Sequence, residues 1–554
     1  MSVVTSSSII NRLPCICGIA HISSPVYTIY HKKIDKRYQT MAGLLQLMDN
    51  LSVNIVVSFF LLISITALLH YLNKNNKKKL PPSPPALPVL GHLHLLKKPL
   101  HHTLIDISSR YGPITFLRFG SRPALLISSH TLAEQCFTTY DMSFSNRVQL
   151  PSVMLPDLIG LCNYGSYWRN VRQIASVELL SNQQLQASLD IRAEEIKDMV
   201  HQLFKSYKSN EKSEESNCFR KLDFRKTIFE LTMNVMMMLI AGKRFYGDKI
   251  EDVKETQKFR EAVTGWFELS GAANVEDFIP LLRILDLQGV MKRMKWVTEV
   301  MEEMVPKIIK EHQQEGIGKG KTMISSMLEL GKKDSEKYSD HVIRNIAISM
   351  LLAGTETSAN TIEWVMTLLV NNPDVLQKAR AEIDAQVGNQ RLIQESDMNH
   401  LPYFHCIISE SLRLYPVAPL LVPHESREEI SLGGYEIPKG TMLLVNVYQI
   451  QRDPEIWEEP MKFKPERFED GRSNGKWMAP FGMGRRRCPG EALAMREMGV
   501  VLGALIQCFD WQRIGSELID LTEGSGLTIP KAKPLEVMYQ PRKIMTDVLL
   551  QLSG

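Results

Sequence analysis

Phe481-Gly-Met-Gly-Arg-Arg-Arg-Cys-Pro-Gly490 is the most informative stretch of this sequence. Its glycines allow the backbone to turn tightly around the single sulfur of Cys488. Residues 491–502 follow a helical pattern, which places this sulfur next to a helix N-terminus. That position and the three preceding arginines both favour the thiolate. The stretch therefore predicts one buried, electron-rich sulfur that is held by a tight loop.

A lone thiolate without a paired cysteine is neither a zinc site nor a redox disulfide, and it suits a single axial bond to haem iron. The whole stretch resembles the haem-binding signature of the cytochrome P450 superfamily. Four other motifs of that family follow its order along residues 80–554: Trp168–Arg172, Ala353–Ser358, Glu410–Arg413 and Pro465–Phe468.

The resemblance implies haem b as cofactor, with Cys488 as the metal ligand. It also implies a set of cofactor-binding residues, namely Trp168, Arg172, His424, Phe481, Arg486, Cys488 and Gly490. Within that set, Arg486, Trp168, Arg172 and His424 are expected to donate hydrogen bonds to the haem propionates.

Two further motifs predict the framework and the chemistry of the pocket. Glu410 and Arg413 are three residues apart, so one helix face can present both of them to Arg467 in a buried ion network. Thr357 lies within a helical pattern, and its hydroxyl can bond the carbonyl four residues back and open the helix locally. The resemblance makes Thr357 and Glu356 the catalytic pair that delivers protons.

The composition indicates a globular protein. Of 554 residues, 44% are hydrophobic and 23% charged, which excludes wholesale disorder and a coiled coil. A mean hydropathy of −0.12 excludes a polytopic membrane protein. Residues 1–80 carry a net charge of +7 and the remainder −3. Because the body is not basic, nothing in it points to nucleic acid.

The front of the chain predicts a membrane anchor. Residues 41–73 contain an uncharged apolar segment, with a span near 52–72 that is long enough to cross a bilayer. Lysines follow at once in the basic and proline-rich hinge, residues 74–90, and favour a cytosolic body. Residues 1–40 are expected to be an extension without a structural role, with Met41 as an alternative start. Residues 91–554 then form a single large haem-thiolate catalytic domain.

The body is predicted to be mainly α with minor β. Residues 340–370 predict a long helix through the core, with Ser339 as its N-cap and Asn371-Asn372-Pro373 as its end. Residues 430–445 predict two short strands. The methionines at 233 and 236–238 are interpreted as core residues of a helix rather than as a metal site.

Finer motifs, including residues 418–426 and 526–530, resemble plant cytochrome P450 family 81, which includes isoflavone 2′-hydroxylases and methylenedioxy-bridge synthases. The resemblance implies an apolar plant metabolite such as a flavonoid, lignan, alkaloid or terpenoid as substrate. The residues expected to contact it are Ala353, Leu420, Leu421 and Leu527.

As a microsomal member, the chain would be a single-pass protein of the endoplasmic reticulum membrane. It would receive electrons from NADPH through a separate NADPH–cytochrome P450 reductase, with cytochrome b5 as a further partner, since it has no flavin or nicotinamide fingerprint. Arg485, Arg487 and Lys476 are candidates for the docking face. Three hypotheses remain open: a hydroxylating monooxygenase, a P450 that bridges or rearranges its substrate, and a membrane-anchored haem protein without turnover.

Overall fold

The computed structural model describes residues 79–209, 218–247, 253–270, 274–280, 282, 286–315, 322–469 and 478–552, and a few positions between 57 and 64. Residues 78–554 form one compact unit. In this described part of the chain, no helix has both the length and the apolar character needed to cross a bilayer. The predicted extension 1–40 and nearly all of the predicted span 52–72 lie outside the described residues.

Helices make up most of the body. In chain order they are α1 (Leu100–Tyr111), α2 (His130–Phe137), α3 (Ser166–Gln173), α4 (Asn182–Ala187), α5 (Leu189–Ser209), α6 (Phe224–Ala241), α7 (Val253–Leu269), α8 (Val290–Glu315), α9 (Met323–Gly331), α10 (Asp340–Asn371), α11 (Pro373–Gln386), α12 (Pro402–Leu414), α13 (Val447–Ile450), α14 (Glu491–Cys508) and α15 (Thr546–Gln551).

Three small sheets complete the fold. The largest has the order β1 (Ile114–Phe119), β2 (Arg122–Ile127), β8 (Met442–Val445), β5 (His424–Glu425) and β3 (Asn146–Arg147). The second has the order β4 (Arg220–Asp223), β10 (Glu536–Pro541) and β9 (Phe509–Gln512), and the third pairs β6 (Ile430–Leu432) with β7 (Tyr435–Ile437). The prediction of a mainly α body with minor β is confirmed.

The prediction for residues 430–445 is wrong in detail. They form three strands instead of two, because Gly433 and Gly434 both take positive φ and close a hairpin between β6 and β7. The third strand, β8, pairs parallel to β2 and antiparallel to β5. It thereby joins β5 to β2 within the largest sheet.

Helix α10 is the central element of the core. It follows Ser339 and ends at Asn372, because the following Pro373 disfavours helical backbone in the residue before it. Its 32 residues span roughly 48 Å and are buried along most of their length. A Cβ atom on Gly354 would lie 2.5 Å from the Met236 sulfur, so this glycine permits the close approach of α6.

Two predicted segments next to this core can be compared with the structure. Met233, Met236 and Met237 are buried on α6, which confirms their interpretation as core residues. The described part of the proline-rich hinge packs onto the body, since the Pro82 carbonyl accepts a hydrogen bond from the Phe116 amide at 2.8 Å. The described end of the hinge is therefore docked on the body.

Candidate active site

The loop before α14 wraps around one sulfur. The Cys488 amide donates to the Phe481 carbonyl at 2.9 Å, and a 3₁₀ turn precedes it at Gly484–Arg486. Gly484 has φ of 65°, and a Cβ atom there would lie 2.4 Å from a carboxylate oxygen of Asp141. Gly490 caps α14, and its backbone hydrogen-bonds the thiol. Glycine at position 484 therefore lets this loop close without strain.

A cavity of about 300 Å³ lies between this loop and α10. Cys488, Phe481 and Gly490 line it on one side, and Ala353 and Thr357 line it on the other. The Cys488 side chain is accessible because it faces this cavity. Most of the wall is apolar, so the cavity suits a largely hydrophobic group.

Two of the three arginines before Cys488 are neutralised by carboxylates. Arg485 pairs with Asp141 at 2.7 Å and Arg487 with Glu491 at 2.7 Å. Arg487 lowers the pKa of the Cys488 thiol, as predicted, but burial outweighs it, so the net pKa is raised and the predicted direction is wrong. Only a cation bound to the sulfur would hold it as the thiolate at neutral pH.

The third arginine, Arg486, has no acidic partner among the described residues. It donates to the carbonyls of Ser145 at 2.6 Å and Cys162 at 2.7 Å, and it lies 4.7 Å from the centre of the Trp168 ring. Its Nη1 is buried without a hydrogen-bond partner. Burial, together with the nearby Arg172 cation, lowers its pKa to about 10. A buried cation of this kind requires an anion.

Arg172 and Trp168 are close to this site but are not among the residues that line the cavity. Arg172 makes no hydrogen bond or ion pair with any residue that the structure describes, and burial lowers its pKa. The guanidinium and the Cys488 sulfur are close enough for the arginine to favour the thiolate. Trp168 is buried beneath Arg486. Arg172 and Arg486 therefore bring two cations together near the Cys488 sulfur.

His424 also lines the cavity, on β5. Its Nδ1 donates to the Phe144 carbonyl at 2.7 Å, and burial holds its pKa well below 6.5. In this neutral tautomer Nε2 carries no proton and accepts hydrogen bonds only. The predicted donation from His424 to a propionate therefore requires that the ring first gain a proton.

The two predicted catalytic residues point to different surroundings. The Thr357 hydroxyl donates to the Ala353 carbonyl at 2.5 Å, as the sequence predicted, and it faces the cavity. Glu356 does not line the cavity but hydrogen-bonds to Asn360 and Thr528. Burial raises the pKa of Glu356 to about 7, which suits a group that exchanges protons near neutrality.

The predicted ion network is assembled behind the sulfur loop. Arg413 contacts both carboxylate oxygens of Glu410, at 2.7 and 2.8 Å, and Arg467 reaches the same carboxylate at 3.3 Å. Glu410 and Arg413 are fully buried. The remaining donors of Arg413 reach backbone carbonyls of Gln451 and Pro460, so the network ties α12 to the segment that precedes the loop.

Two of the four predicted substrate contacts line the cavity. Ala353 and Leu421 do so, whereas Leu420 and Leu527 do not. Leu420 packs instead into the cluster around Leu104. The prediction therefore differs from the structure at Leu420 and Leu527.

Two buried charged residues that lie outside the quoted motifs also line the cavity. Arg147 lines the cavity, is buried, and donates to the Val422 carbonyl at 2.5 Å. Glu497 is 2% exposed, and burial raises its pKa to about 8. It hydrogen-bonds Ser358, while its Oε1 has no partner among the described residues. One feature points to Glu497: it follows Leu493, which lines the cavity, by one helical turn.

Comparison with known proteins agrees with this geometry. Residues 81–537 match the family model described as cytochrome P450. The chain belongs to the cytochrome P450 family. It is therefore a haem-dependent monooxygenase, and cytochromes P450 hold their haem through a cysteine thiolate.

Curated relatives cover nearly the whole P450. It is 43% identical over 489 residues to the (+)-piperitol/(+)-sesamin synthase of Sesamum radiatum, covering 87% of this chain and 94% of the relative. It is 42% identical to the isoflavone 3′-hydroxylase of Medicago truncatula, covering 90% and 98%, and 41% identical to the isoflavone 2′-hydroxylase of Glycyrrhiza echinata, covering 86% and 94%. Since other relatives carry names of P450 family 81, the predicted resemblance to it is confirmed.

The site of this P450 fits haem. The apolar wall suits the porphyrin, and the sulfur of Cys488 reaches the same cavity. The unpaired Nη1 of Arg486 offers a charge-assisted hydrogen bond to a propionate carboxylate. The orphaned cation would thus obtain the anion that it lacks.

Proposed function

We propose that Cys488 is the axial ligand of haem b and that Arg486 and Arg172 hold its propionates. The single observation that carries this assignment is the orphaned Nη1 of Arg486 beside the cavity that Cys488 enters. When bound, haem supplies the activation of dioxygen and the transfer of one oxygen atom to substrate. Trp168 would support Arg486, and Phe481 and Gly490 would shape the loop around the sulfur.

The residues of α10 would manage protons and water. The Thr357 hydroxyl is already held by the Ala353 carbonyl, so its oxygen is free to accept a hydrogen bond from a water in the cavity. Glu356 would supply protons to this water from the Asn360 side, because its raised pKa keeps a fraction of the Glu356 carboxyl groups protonated near pH 7. Apolar walls exclude bulk water from the same space.

The substrate we propose is an apolar, aromatic plant metabolite, which the enzyme hydroxylates. Support comes from the hydroxylase names of the isoflavone-acting relatives and from the apolar wall that Ala353, Met350 and Leu421 contribute. A second candidate reaction is oxidative closure of a methylenedioxy bridge. It is favoured by the 43% identity to the sesamin synthase.

The remaining parts of the proposal concern the membrane and the electron supply. Residues 41–73 would anchor the chain in the endoplasmic reticulum membrane, residues 74–90 would form the hinge, and residues 91–554 would be the cytosolic catalytic domain. Support comes from the uncharged run and the lysines that follow it. NADPH–cytochrome P450 reductase, with cytochrome b5, would supply electrons.

Of the residues proposed to contact these electron donors, Arg487 is the most exposed in the structure, and it is paired with Glu491. Arg485 is less exposed and held by Asp141, and Lys476 lies outside the described residues. The docking face therefore has less free charge than the sequence suggested.

Product profiling tests the proposed function. Microsomes that contain the full chain and a plant reductase are supplied with NADPH and with panels of isoflavones, lignans, alkaloids and terpenoids. We expect a product that carries one added oxygen or a methylenedioxy bridge, and none from Cys488→Ser microsomes. Equal products from both preparations would refute the assignment of the catalytic centre.

A further inference from the structure

Three side chains that commonly ligate metals converge away from the haem cavity. His101 and His102 lie in the first turn of α1, and Glu523 lies between α14 and β10. The Nε2 atoms of His101 and His102 are 2.5 and 2.9 Å from the same carboxylate oxygen of Glu523. The three potential ligand atoms all lie within 4.8 Å of one another. None of the three residues lines the haem cavity.

The cluster is both preorganised and reachable. His101 and Glu523 are buried, and Asn446 donates to the His101 carbonyl at 3.1 Å, which fixes the start of α1. The His102 side chain is 48% exposed, so an ion can enter from solvent. The two imidazole rings are 4.5 Å apart at an angle of 39°. Their Nε2 atoms therefore converge on one point instead of diverging as neighbouring helical residues usually do.

We propose that His101, His102 and Glu523 form a binding site for Zn²⁺, with water as the fourth ligand. Two imidazoles and one carboxylate are an established zinc ligand set, and Zn²⁺ binds such atoms at about 2.0–2.2 Å without imposing a geometry of its own. Both imidazoles now share one carboxylate oxygen. A cation placed between the three atoms would replace these two hydrogen bonds with a ligand bond to each atom.

The surroundings limit how tightly the ion binds. The guanidinium of Arg452 lies 3.4 Å from the centre of the Tyr448 ring, and Tyr448 hydrogen-bonds Glu523. This buried cation competes with Zn²⁺ for the single carboxylate charge. The affinity of this site for Zn²⁺ is therefore lower than that of a site with the same three ligands and no neighbouring cation. Its role is structural, because the ion would tie α1 to the segment around residue 523.

Zinc binding by the full-length, tag-free haem protein tests the proposal. The protein is treated with chelator, dialysed against increasing Zn²⁺, and assayed for bound zinc by mass spectrometry. Variants His102→Ala and Glu523→Gln remove ligands, and His94→Ala removes an exposed histidine outside the cluster. We expect one equivalent of zinc bound by the wild type and by His94→Ala, with affinity weakened by about tenfold or more in the other two variants.

Thermal unfolding provides a second readout. Zn²⁺ should raise the melting temperature of the wild type and of His94→Ala more than that of His102→Ala at the same zinc concentration, because binding to the folded state stabilises it by mass action. The exposed position of His102 keeps this test valid even if Glu523→Gln does not fold. Zinc titrations that are identical in wild type and His102→Ala, or an absence of bound zinc in the wild type, would overturn the proposal.

Discussion

The ion network of Glu410 yields the most quantitative prediction. The change Glu410→Gln keeps the shape of the side chain but removes the charge that faces Arg413 and Arg467. Glu410 and Arg413 are fully buried, and in the variant Arg413 would face one neutral amide oxygen and backbone carbonyls instead of a carboxylate. Breaking a buried pair by removing one partner typically costs about 3–5 kcal/mol. We expect a loss of this size in the free energy of unfolding.

An exposed ion pair offers the matched control. Glu469 pairs with Lys378 at 2.7 Å, and both side chains are more than 40% exposed. Exposed pairs of this kind contribute about 0–1 kcal/mol, so Glu469→Gln should be close to wild type. Urea unfolding followed by tryptophan fluorescence, together with the yield of haem-loaded protein, measures both variants. A Glu410→Gln protein no less stable than Glu469→Gln would refute the reasoning.

Three further predictions concern the cavity. Gly484→Ala should lower the free energy of unfolding by about 1–3 kcal/mol and lower haem retention, because φ is 65° and the new Cβ would meet Asp141. The midpoint of urea unfolding measures this loss, and an unchanged midpoint would contradict the prediction. Thr357→Ala should lower product formed per NADPH consumed by roughly tenfold or more while Thr357→Ser retains it, and equal coupling in both variants would exclude the proton role. The pKa of Glu497 is raised to about 8, so its contribution to the free energy of unfolding is complete below the unfolded-state pKa and is lost as pH rises through 8. Glu497→Gln should therefore flatten the decline in the free energy of unfolding between about pH 5 and 8. Parallel pH profiles of wild type and variant would contradict this.

Sequence motifs predicted the parts of the site that depend on local chain geometry. The loop around Cys488 follows from glycines whose backbone conformation other residues avoid. Glu410 and Arg413 meet because three residues separate them on one helix. The bond from Thr357 to the Ala353 carbonyl is likewise a property of any helical threonine. Such features need little information from the rest of the fold.

The features that sequence reasoning missed depend on tertiary packing. Arg147 belongs to a two-residue strand, and only its pairing with β5 brings it to the cavity. Glu356 is next to Thr357 in sequence, yet one residue of helical rotation turns it from the cavity towards Thr528. The pKa of the Cys488 thiol was predicted in the wrong direction because burial, the largest influence on it, arises from tertiary packing and not from the quoted loop, and Glu491 adds to the rise.

The ligand of the haem iron is the central claim, and the spectrum of the purified protein tests it most directly. The reduced carbon-monoxide complex of the full chain should show the Soret band typical of a thiolate ligand, and Cys488→His should lose that band while it retains haem. A thiolate-type band that persists in Cys488→His, or a wild-type spectrum typical of a nitrogen ligand, would contradict the account.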